Sequence, residues 1–483
     1  MKKRHIPSAS FSLKRLFISL FVLYFVFAVI FYFLAGYQLH FRASRGNLEF
    51  PVAESGTVEL VQGTTIEQVF TAKIQRLESV SVQWGTYLRQ NTGTAYMELL
   101  DLRSGAVLLS QNFDVSALTE GAQLTLSSFS PLEGYYDVPL LLRIYADSQP
   151  GSAASPLMSS SVQPDGFSLS INGTPVQGTL CFSASGEDYI WTGLHYWKFV
   201  AGFGAVLGVY LTVTYWRWSK GKDGLLVKGI AALQKYRFLI KQLVDRDFKA
   251  KYKRSILGVF WSFLNPLLTM IVQYIVFSNL FRFDIPYYTV YLLTGIIIFN
   301  YFSESCGMAL SSIVGNANLI TKVYVPKYIY PLTRILSSLV NLVISMIPLL
   351  LVILFSGLLP TKAYPLILFD LICLALFCLG LGMLLASAMV FFRDIQFLWG
   401  VLTMLWMYLT PIFYPADILP EQVAWVLGVN PLYYFITFLR TCVMDGVTPE
   451  PVLYVQCFLS AMLFLILGTV VFKKTQDKFV LYL

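Results

Sequence analysis

One junction limits what this chain of 483 residues can fold into. Between positions 245 and 281 a dense cationic run changes within a few residues into an apolar segment. Seven Lys or Arg lie between Arg237 and Arg254, and apolar side chains recur there near helical spacing, which is typical of an amphipathic helix in a membrane interface. From Leu257 the apolar run is long enough to cross a ~30 Å hydrocarbon layer at ~1.5 Å per residue. The junction therefore predicts a membrane boundary.

Composition also indicates a polytopic membrane protein. Hydrophobic residues make up 56% of the chain and charged residues 13%, and the mean hydropathy is +0.63, whereas soluble domains are about one quarter charged. Positions 217–254 hold twelve Lys or Arg against three Asp, and positions 37–190 hold seven Lys or Arg against fifteen Asp or Glu. The net charge of +8 therefore indicates which segments of a bacterial cytoplasmic membrane protein lie in the cytoplasm. No nucleic-acid partner is predicted. The six cysteines and three histidines show no paired spacing, so no metal site or disulfide framework is predicted.

Residues 1–36 are predicted to be a cytoplasmic N-terminus and a transmembrane anchor. The apolar run from Phe17 to Gly36 has 20 residues, longer than the ~7–15 residues usual in a cleaved signal peptide. Residues 191–216 are predicted to hold a second transmembrane helix, which returns the chain to the cytoplasm. Residues 217–256 form a predicted cytoplasmic linker and the amphipathic interface helix.

Residues 37–190 differ in character and predict an extracytoplasmic all-β sandwich, because short alternating strands such as Ser79–Gly85 are separated by turn clusters. Alternation places Trp84 with Val80 and Val82 on the core face. The run from Trp84 to Gly93 also resembles the jelly rolls of carbohydrate-binding modules, which makes Tyr87, Arg89 and Asn91 candidate glycan contacts. Ordinary strand and turn roles are the alternative for these three side chains.

Residues 257–472 are predicted to contain six further spans, so that eight spans leave both termini, including the tail 473–483, in the cytoplasm. Residues 415–450 are apolar and divided by prolines, which predicts short helices dipping into the outer leaflet. The six predicted spans are Leu257–Phe281, Tyr287–Leu310, Leu332–Leu359, Tyr364–Phe391, Ile395–Pro411 and Val452–Phe472.

Three motifs lie in this last part of the chain. The first reads Arg246-Asp247-x-Lys249-x-x-Tyr252-Lys253-x-Ser255-x-Leu257-Gly258-x-x-Trp261-x-x-Leu264-x-Pro266-Leu267. The second reads Leu319-Ile320-x-Lys322-x-x-x-Pro326-x-x-x-x-Pro331-Leu332. The third reads Phe392-Arg393-Asp394-Ile395 and continues in Thr410-Pro411-Ile412-Phe413-Tyr414-Pro415, Leu419-Pro420 and Asn430-Pro431-Leu432. Over about 250 residues the chain resembles the permease subunits of ABC polysaccharide exporters, the O-antigen and teichoic-acid family.

The resemblance implies a six-helix permease core that exports a lipid-linked polysaccharide as a homodimer with two copies of a separate ATPase. This chain has no G-x-x-x-x-G-K-[ST] sequence, so ATP and Mg²⁺ are expected on the partner and no cofactor on this chain. The resemblance assigns the expected roles. ATPase coupling is expected at Arg246, Asp247, Lys249, Lys251, Tyr252, Lys253, Ser255, Asn318, Lys322 and Pro326; the conduit or gate at Trp261, Trp406, Tyr408, Phe413, Tyr414, Asn430 and Tyr433; and an inner-end motif at Arg393 and Asp394.

Alternatives remain open from the residues themselves. The chain could be a membrane-bound polymer glycosyltransferase or ligase, or a non-transporting sensor with an outer glycan-binding domain. The basic helix could bind anionic lipid, and the aromatic residues could form interfacial belts.

Four carboxylates in this part of the chain have both a functional and a structural interpretation. The spacing of Asp245 and Asp247 matches a metal-binding D-x-D, but pairing within the helix to Lys241 and Lys249 is favoured. Glu304 and Asp370 lie inside predicted spans and are expected to reach toward the headgroups.

Overall fold

The computed structural model describes residues 13–44, 53, 55–161, 164–222, 224–253, 255–280, 285–322, 325–420 and 425–482. The predicted N-terminal segment before Leu13, together with Arg254, Phe281 and positions 421–424 of the outer segment, lies outside the described residues. The chain divides into two compact units, Gly36–Phe199 and Met1–Ala35 with Val200–Leu483.

The first unit consists of two antiparallel sheets, which confirms the predicted sandwich. One sheet has the order β1-β13-β4-β9-β12, with β2 paired to β9 and β7 to β4, and the other has the order β11-β10-β3-β8-β5-β6. The strands are β1 Phe41–Ser44, β2 Ser55–Gly56, β3 Thr65–Thr71, β4 Arg76–Gly85, β5 Thr94–Asp101, β6 Val107–Asp114, β7 Gln123–Glu133, β8 Pro139–Ala146, β9 Ser155–Ser159, β10 Ser168–Ile171, β11 Thr174–Val176, β12 Thr179–Leu180 and β13 Phe182–Tyr189.

The core between the sheets follows the alternation of the strands. Trp84 is fully buried with Val80 and Val82, as predicted. Gln68 of β3 is also fully buried. Its amide nitrogen donates to the Ser168 carbonyl at 3.2 Å and its amide oxygen accepts from the Leu180 amide at 3.0 Å. Because β3 and β12 belong to different sheets, this satisfied buried amide joins the two layers.

The second unit is helical. Its longer helices are α1 Leu13–Ala35, α2 Tyr196–Ser219, α3 Leu225–Lys235, α4 Arg237–Tyr252, α5 Phe260–Leu280, α6 Tyr288–Leu310, α7 Ala317–Lys322, α8 Ile329–Phe355, α9 Ile367–Phe391, α10 Ile395–Leu409, α11 Pro431–Arg440 and α12 Pro451–Thr475. A π-helical turn, Thr441–Asp445, continues α11.

The described helices agree with most of the predicted spans. Six of them are long and apolar enough to cross a membrane, and a seventh candidate is the pair Tyr288–Leu310 and Val314–Lys322, bent by 53°. The predicted span Ile395–Pro411 differs, because α10 has only 15 residues. At ~1.5 Å per residue it covers roughly 22 Å, less than the ~30 Å hydrocarbon layer. The chain is a multi-pass membrane protein in which α10 does not match a full span by length.

Two glycines allow close backbone contact between α9 and α12. A Cβ atom on Gly380 would clash with the main chain of Phe464, and one on Gly468 would clash with the carbonyl of Gly380. Small residues at such positions let helix backbones approach closely in membranes.

The first two helices pair through small residues as well. A Cβ atom on Gly204 of α2 would lie 2.8 Å from the ring of Phe25, and Tyr24 of α1 donates to the Val200 carbonyl at 2.9 Å. Phe31 of α1 lies edge-on to Tyr454 of α12, with the ring centroids 5.6 Å apart. The anchor helix therefore packs against the same bundle as the later helices.

Candidate functional site

A buried carboxylate joins the basic helix α4 to the transmembrane bundle. The Asp247 side chain is 4% exposed and its Oδ2 lies 2.9 Å from Nη1 of Arg334 on α8. The other oxygen, Oδ1, accepts from Arg246 at 3.1 Å. Arg246 also donates to Asn316, at 3.4 Å, in the bend after α6. The Arg-Asp pair of the first motif therefore holds α4 against two other elements.

This geometry corrects the partners predicted for Asp247, which were Lys241 and Lys249. The described ion pairs of Asp247 are with Arg246 and Arg334 rather than with Lys241 or Lys249. The sequence missed the contact because Arg334 lies 87 residues further along the chain. Only the packing of α4 against α8 brings the two side chains together.

A second polar cluster lies at the end of α4. The Lys251 ammonium is 2.9 Å from Oε1 of Glu304 on α6. That oxygen also accepts from Asn341 of α8 at 2.7 Å. Tyr252 is hydrogen-bonded to Ser262 of α5 and donates to Asn341 at 3.0 Å. Glu304 is thus held by partners on α4 and α8, so the expectation that it reaches toward the headgroups is replaced by a specific pairing.

Pro266 interrupts the main-chain hydrogen bonding of α5 beside this cluster. Proline has no amide hydrogen, so the carbonyl of Ser262, four residues earlier, lacks its helical donor. The Ser345 hydroxyl of α8 donates to that carbonyl at 3.2 Å. The carbonyl that the proline leaves without a donor in α5 is therefore hydrogen-bonded by a hydroxyl of α8. The two serines, Ser262 and Ser345, lie at this point of contact.

These residues line a cavity of about 480 Å³ between α4, α5, α6 and α8, which we call the polar cleft. An adjoining cavity of about 450 Å³ shares Lys251, Glu304 and Asn341 with it. The polar cleft is lined by Lys251, Tyr252, Trp261, Ser262, Asn265, Pro266, Ile297, Asn300, Tyr301, Ser303, Glu304, Ser338, Asn341, Leu342 and Ser345.

The loop after α10 is organised by a different network, centred on Asn430. Its side-chain oxygen accepts from the indole of Trp406 at 2.7 Å and from the Leu432 amide at 3.1 Å. Its amide nitrogen donates to the Thr410 hydroxyl at 2.9 Å. Asn430 is thus both the cap of α11 and the link to the end of α10, which gives a physical reason for the motif elements Thr410-Pro411 and Asn430-Pro431.

Arg440 holds the same loop from the other side and was missed in the sequence. Its guanidinium donates to the carbonyls of Pro411 at 2.8 Å, Ile412 at 3.2 Å and Tyr291 at 3.1 Å. It also lies 3.4 Å from the centroid of the Tyr291 ring. An arginine within an apolar stretch is costly unless it is used, which was the available signal.

Comparison with known proteins places these elements in a family. The model of the ABC-2 type transporter family matches residues 238–444. An O-antigen export system permease protein of Myxococcus xanthus is 33% identical over 230 residues, which cover 47% of this chain and 87% of the relative. The chain belongs to the ABC-2 type transporter family.

Two further relatives agree with this assignment to the ABC-2 family. An O-antigen export system permease protein of Klebsiella pneumoniae is 30% identical over 246 residues, 50% of this chain and 93% of the relative. A capsule polysaccharide export inner-membrane protein of Neisseria meningitidis serogroup B is 26% identical over 235 residues, 47% of this chain and 88% of the relative. The ABC-2 match begins within α4 and ends in the turn after α11, so it contains the polar cleft and the Asn430 network.

The predicted coupling residues of this ABC-2 region divide into two groups. Lys249, Lys253, Asn318 and Lys322 are exposed. Asp247 and Tyr252 make the contacts within the bundle described above, and Ser255 accepts from the Gly258 amide at 3.1 Å in the turn before α5. Pro326 is half-buried ahead of α8. Arg246 and Lys251 are exposed as well, although each also forms an ion pair, with Asp247 and Glu304 respectively.

The predicted conduit residues also divide. Trp261 is 44% exposed and Tyr408 58% exposed. Phe413 is 4% exposed and stacks on Phe277 with centroids 5.2 Å apart. Trp406, Tyr414 and Tyr433 are half-buried, and Asn430 is buried. In this conformation Phe413 and Asn430 therefore hold the loop after α10 together rather than face an open path.

The inner-end motif lies between α9 and α10 of the ABC-2 region. Arg393 and Asp394 are both exposed, and Asp394 immediately precedes the first residue of α10. A carboxylate at this position interacts favourably with the positive end of the helix dipole.

The expectation for Asp370 was wrong. Its side chain is completely buried on α9, with Oδ1 3.9 Å from the Cys457 sulfur of α12. A residue about six positions from the predicted end of a span can reach the headgroups only if its face of the helix is open. Here that face is covered by α12.

The candidate glycan residues of the sandwich lie in one loop between β4 and β5. Tyr87 is 48% exposed, and the Arg89 guanidinium lies 5.0 Å from its ring centroid. Arg89 also pairs with Glu59. Asn91 is buried, accepts from Arg89 at 3.2 Å and donates to the Thr86 carbonyl at 3.1 Å. Asn91 therefore stabilises the loop, whereas the exposed ring of Tyr87 is accessible to a ligand.

Proposed function

We propose that this chain is the membrane permease of an ABC transporter that exports a lipid-linked surface polysaccharide. The main support is the match to relatives named for O-antigen and capsule polysaccharide export. The chain aligns with 87–93% of the length of each of these relatives. The identity of the polymer is left open between O-antigen, teichoic acid and related surface glycans.

Energy for transport would come from a separate ATPase. No G-x-x-x-x-G-K-[ST] sequence occurs in the 483 residues, so this chain lacks the loop that cradles nucleotide phosphates in such enzymes. We propose that two copies of the ATPase, with ATP and Mg²⁺, bind two copies of this chain. The proposed contacts are the exposed Lys249 on α4 and Lys253 directly after it, with Asn318 and Lys322 on α7.

The pairs of α4 suggest how movement would pass into the bundle. A displacement of α4 by the ATPase would pull on Arg334 of α8 through Asp247 and on Glu304 of α6 through Lys251, because both pairs are within 3 Å. Charge-assisted hydrogen bonds of this length resist separation. The polar cleft lies between the helices that would move.

The orientation is proposed from the charges. The cationic run around α4 and the lysines at the end of α12 would lie in the cytoplasm. Both termini would lie there if the 15-residue α10 and the residues after it complete an eighth crossing. The sandwich would then lie outside the cell, as a glycan-binding or partner-docking module.

Two measurements test the proposal. Deletion of the gene should remove polymer from the cell surface and leave it inside the cell, and the purified chain should stimulate ATP hydrolysis only together with a P-loop partner. Unchanged surface polymer, or hydrolysis by the contaminant-free chain alone, would contradict the proposal. In the hydrolysis measurement, the control is a partner ATPase that lacks its P-loop lysine, which should give no hydrolysis with or without this chain.

The ATPase contact has its own test. Reversal of charge at the exposed Lys249 and Lys253 should reduce co-purification of the ATPase. The same change at the exposed Lys235 of α3 is the matched control. Equal recovery of the complex from all variants would instead favour lipid binding by α4.

A further inference from the structure

The polar cleft is more hydrophilic than helix packing requires. Of its lining residues, Pro266, Ile297 and Leu342 are apolar, and the rest carry a hydroxyl, an amide, an indole or a charge. Polar side chains within transmembrane helices are costly and are concentrated at functional sites. The volume of about 480 Å³ lies within the ~300–1,000 Å³ usual for small-molecule sites.

The charges of the cleft exclude some ligand classes. Lys251 and Glu304, the lining residues of opposite charge, are paired at 2.9 Å. An anionic group such as a phosphate would therefore meet a cation that is already neutralised and a carboxylate that repels it. A lipid acyl chain would leave the amides and hydroxyls without partners, which costs free energy.

A neutral ligand with many hydroxyls fits the remaining chemistry. Asn265 and Asn300 are exposed within the cleft, and each side-chain amide can donate and accept. Trp261, 44% exposed, offers a flat apolar face beside them. A sugar ring presents this combination of hydroxyl edges and an apolar C–H face.

We propose that the polar cleft binds an uncharged saccharide unit of the transported polymer. This inference rests on the proposed function and assigns the sugar contact to α4, α5, α6 and α8 rather than to the aromatic residues of the outer loop. A sugar hydroxyl that reaches Glu304 competes with Lys251 and Asn341 for the same carboxylate oxygen. Saccharide binding is therefore coupled to the position of α4, and by linkage the coupling is reciprocal.

The experiment measures sugar binding directly. The full-length chain is reconstituted in lipid nanodiscs without sugar-based detergent, and saturation-transfer NMR is recorded with methyl α-mannoside, methyl β-galactoside, N-acetylglucosamine and methyl phosphate, whose methyl protons report binding of a phosphate group. At least one of the three sugars should show transfer, and methyl phosphate should not. Asn265→Leu and Asn300→Leu should each weaken sugar binding about tenfold, as loss of a hydrogen bond of about 1.4 kcal/mol predicts.

The control is Gln396→Leu, which removes an exposed side-chain amide on α10 that is not among the cleft residues. Its sugar binding should equal that of the unmodified chain. Size-exclusion profiles and thermal unfolding establish that each variant is folded, and because Asn265 and Asn300 are exposed, at least one of the two should pass.

Three results would overturn the inference: no transfer from any of the sugars, transfer from methyl phosphate alone, or equal sugar binding in folded cleft variants and the control. Failure of the inference and failure of the proposed function are distinguishable in cells. Export that depends on this chain, with no sugar bound in the cleft, removes the inference alone. Surface polymer that does not depend on the chain removes both.

Discussion

Asp247 of α4 and Arg334 of α8 form a buried ion pair, with 2.9 Å between Oδ2 and Nη1 and side chains 4% and 21% exposed. The Ser337 hydroxyl lies 3.5 Å from the same carboxylate oxygen. An interface helix that only rests on the lipid surface needs no such contact. The pair makes α4 part of the bundle. It shows that α4 is attached to α8 and is not merely adsorbed to the membrane surface.

The first prediction is that Asp247→Asn destabilises the protein by about 3–5 kcal/mol, because the largely buried Arg334 guanidinium loses its carboxylate partner. Arg334→Gln should destabilise it less, because Asp247 keeps its pair with Arg246. The double variant should be less unstable than the sum of the two single variants. Thermal unfolding in a double-mutant cycle measures the coupling. Asp245→Asn, at an exposed position of the same helix, is the matched control. Additive single effects would show that the pair is not coupled.

The second prediction concerns the contact between α9 and α12. Gly468→Ala should destabilise the protein by about 1–3 kcal/mol, because the added methyl group meets the Gly380 carbonyl and the helices must separate. Gly307→Ala on α6 is the control, since a Cβ there has no neighbour within 4 Å and alanine favours the helix by about 0.5–1 kcal/mol. Similar melting temperatures for both variants would contradict this account of the interface.

The third prediction concerns Arg440. Arg440→Lys keeps the charge but cannot reproduce the three hydrogen bonds to the carbonyls of Tyr291, Pro411 and Ile412, since the ammonium lacks the planar fork of the guanidinium. Faster hydrogen exchange is expected in residues 410–415, together with reduced export. Arg217→Lys, at an exposed site of α2, should change neither property. Unaltered exchange in the loop would mean that Arg440 does not hold it.

The fourth prediction concerns pH and the loop that begins at Thr86. Hydrogen bonds from the Thr86 hydroxyl and amide, both 2.7 Å long, lower the pKa of the Glu120 carboxyl. Because the folded pKa is below the unfolded one, this stabilisation is present above the unfolded value of about 4.3 and is lost as pH falls through the folded value.

The measurement uses the segment 36–199, which we expect to fold alone because it is a compact unit with its own core. A cooperative melt with near-ultraviolet circular dichroism tests that expectation. Between pH 6 and pH 3 its melting temperature should fall, and Glu120→Gln should flatten the decrease. The exposed Asp165→Asn is the control. An equally steep decrease in Glu120→Gln would assign the pH dependence to other groups.

The fifth prediction separates glycan binding from loop structure in the sandwich. Tyr87→Ala should weaken binding of the segment to the organism's own surface polymer while leaving its melting temperature unchanged, because the ring is exposed. Leu88, 88% exposed beside it, is changed to Ala as the control. Arg89 is a poor test residue, since its pairing with Glu59 also supports the fold. If calorimetry detects no glycan binding by the folded segment, a docking role for an outer partner is favoured.

Much of the fold was readable from local pattern. The spans followed from apolar length: Tyr364–Phe391 has the predicted bounds, and α6 and α12 begin or end within a few residues of theirs. The placement of Trp84 in the core followed from alternation in β4. These are properties of one segment and its solvent, so the segment alone carries the information.

The sequence by itself determined a multi-pass permease-like chain with a β domain between its first two spans, because hydropathy, strand period and motif order act along the chain. The tertiary structure decided which charges meet. Asp247 pairs with Arg334, Asp370 is covered by α12 and Arg440 binds the loop after α10, and none of these partners is a neighbour in sequence. The polar cleft likewise exists only where faces of α4, α5, α6 and α8 converge. The free energy of a polar group depends on the atoms packed around it, and helix spacing alone does not specify them.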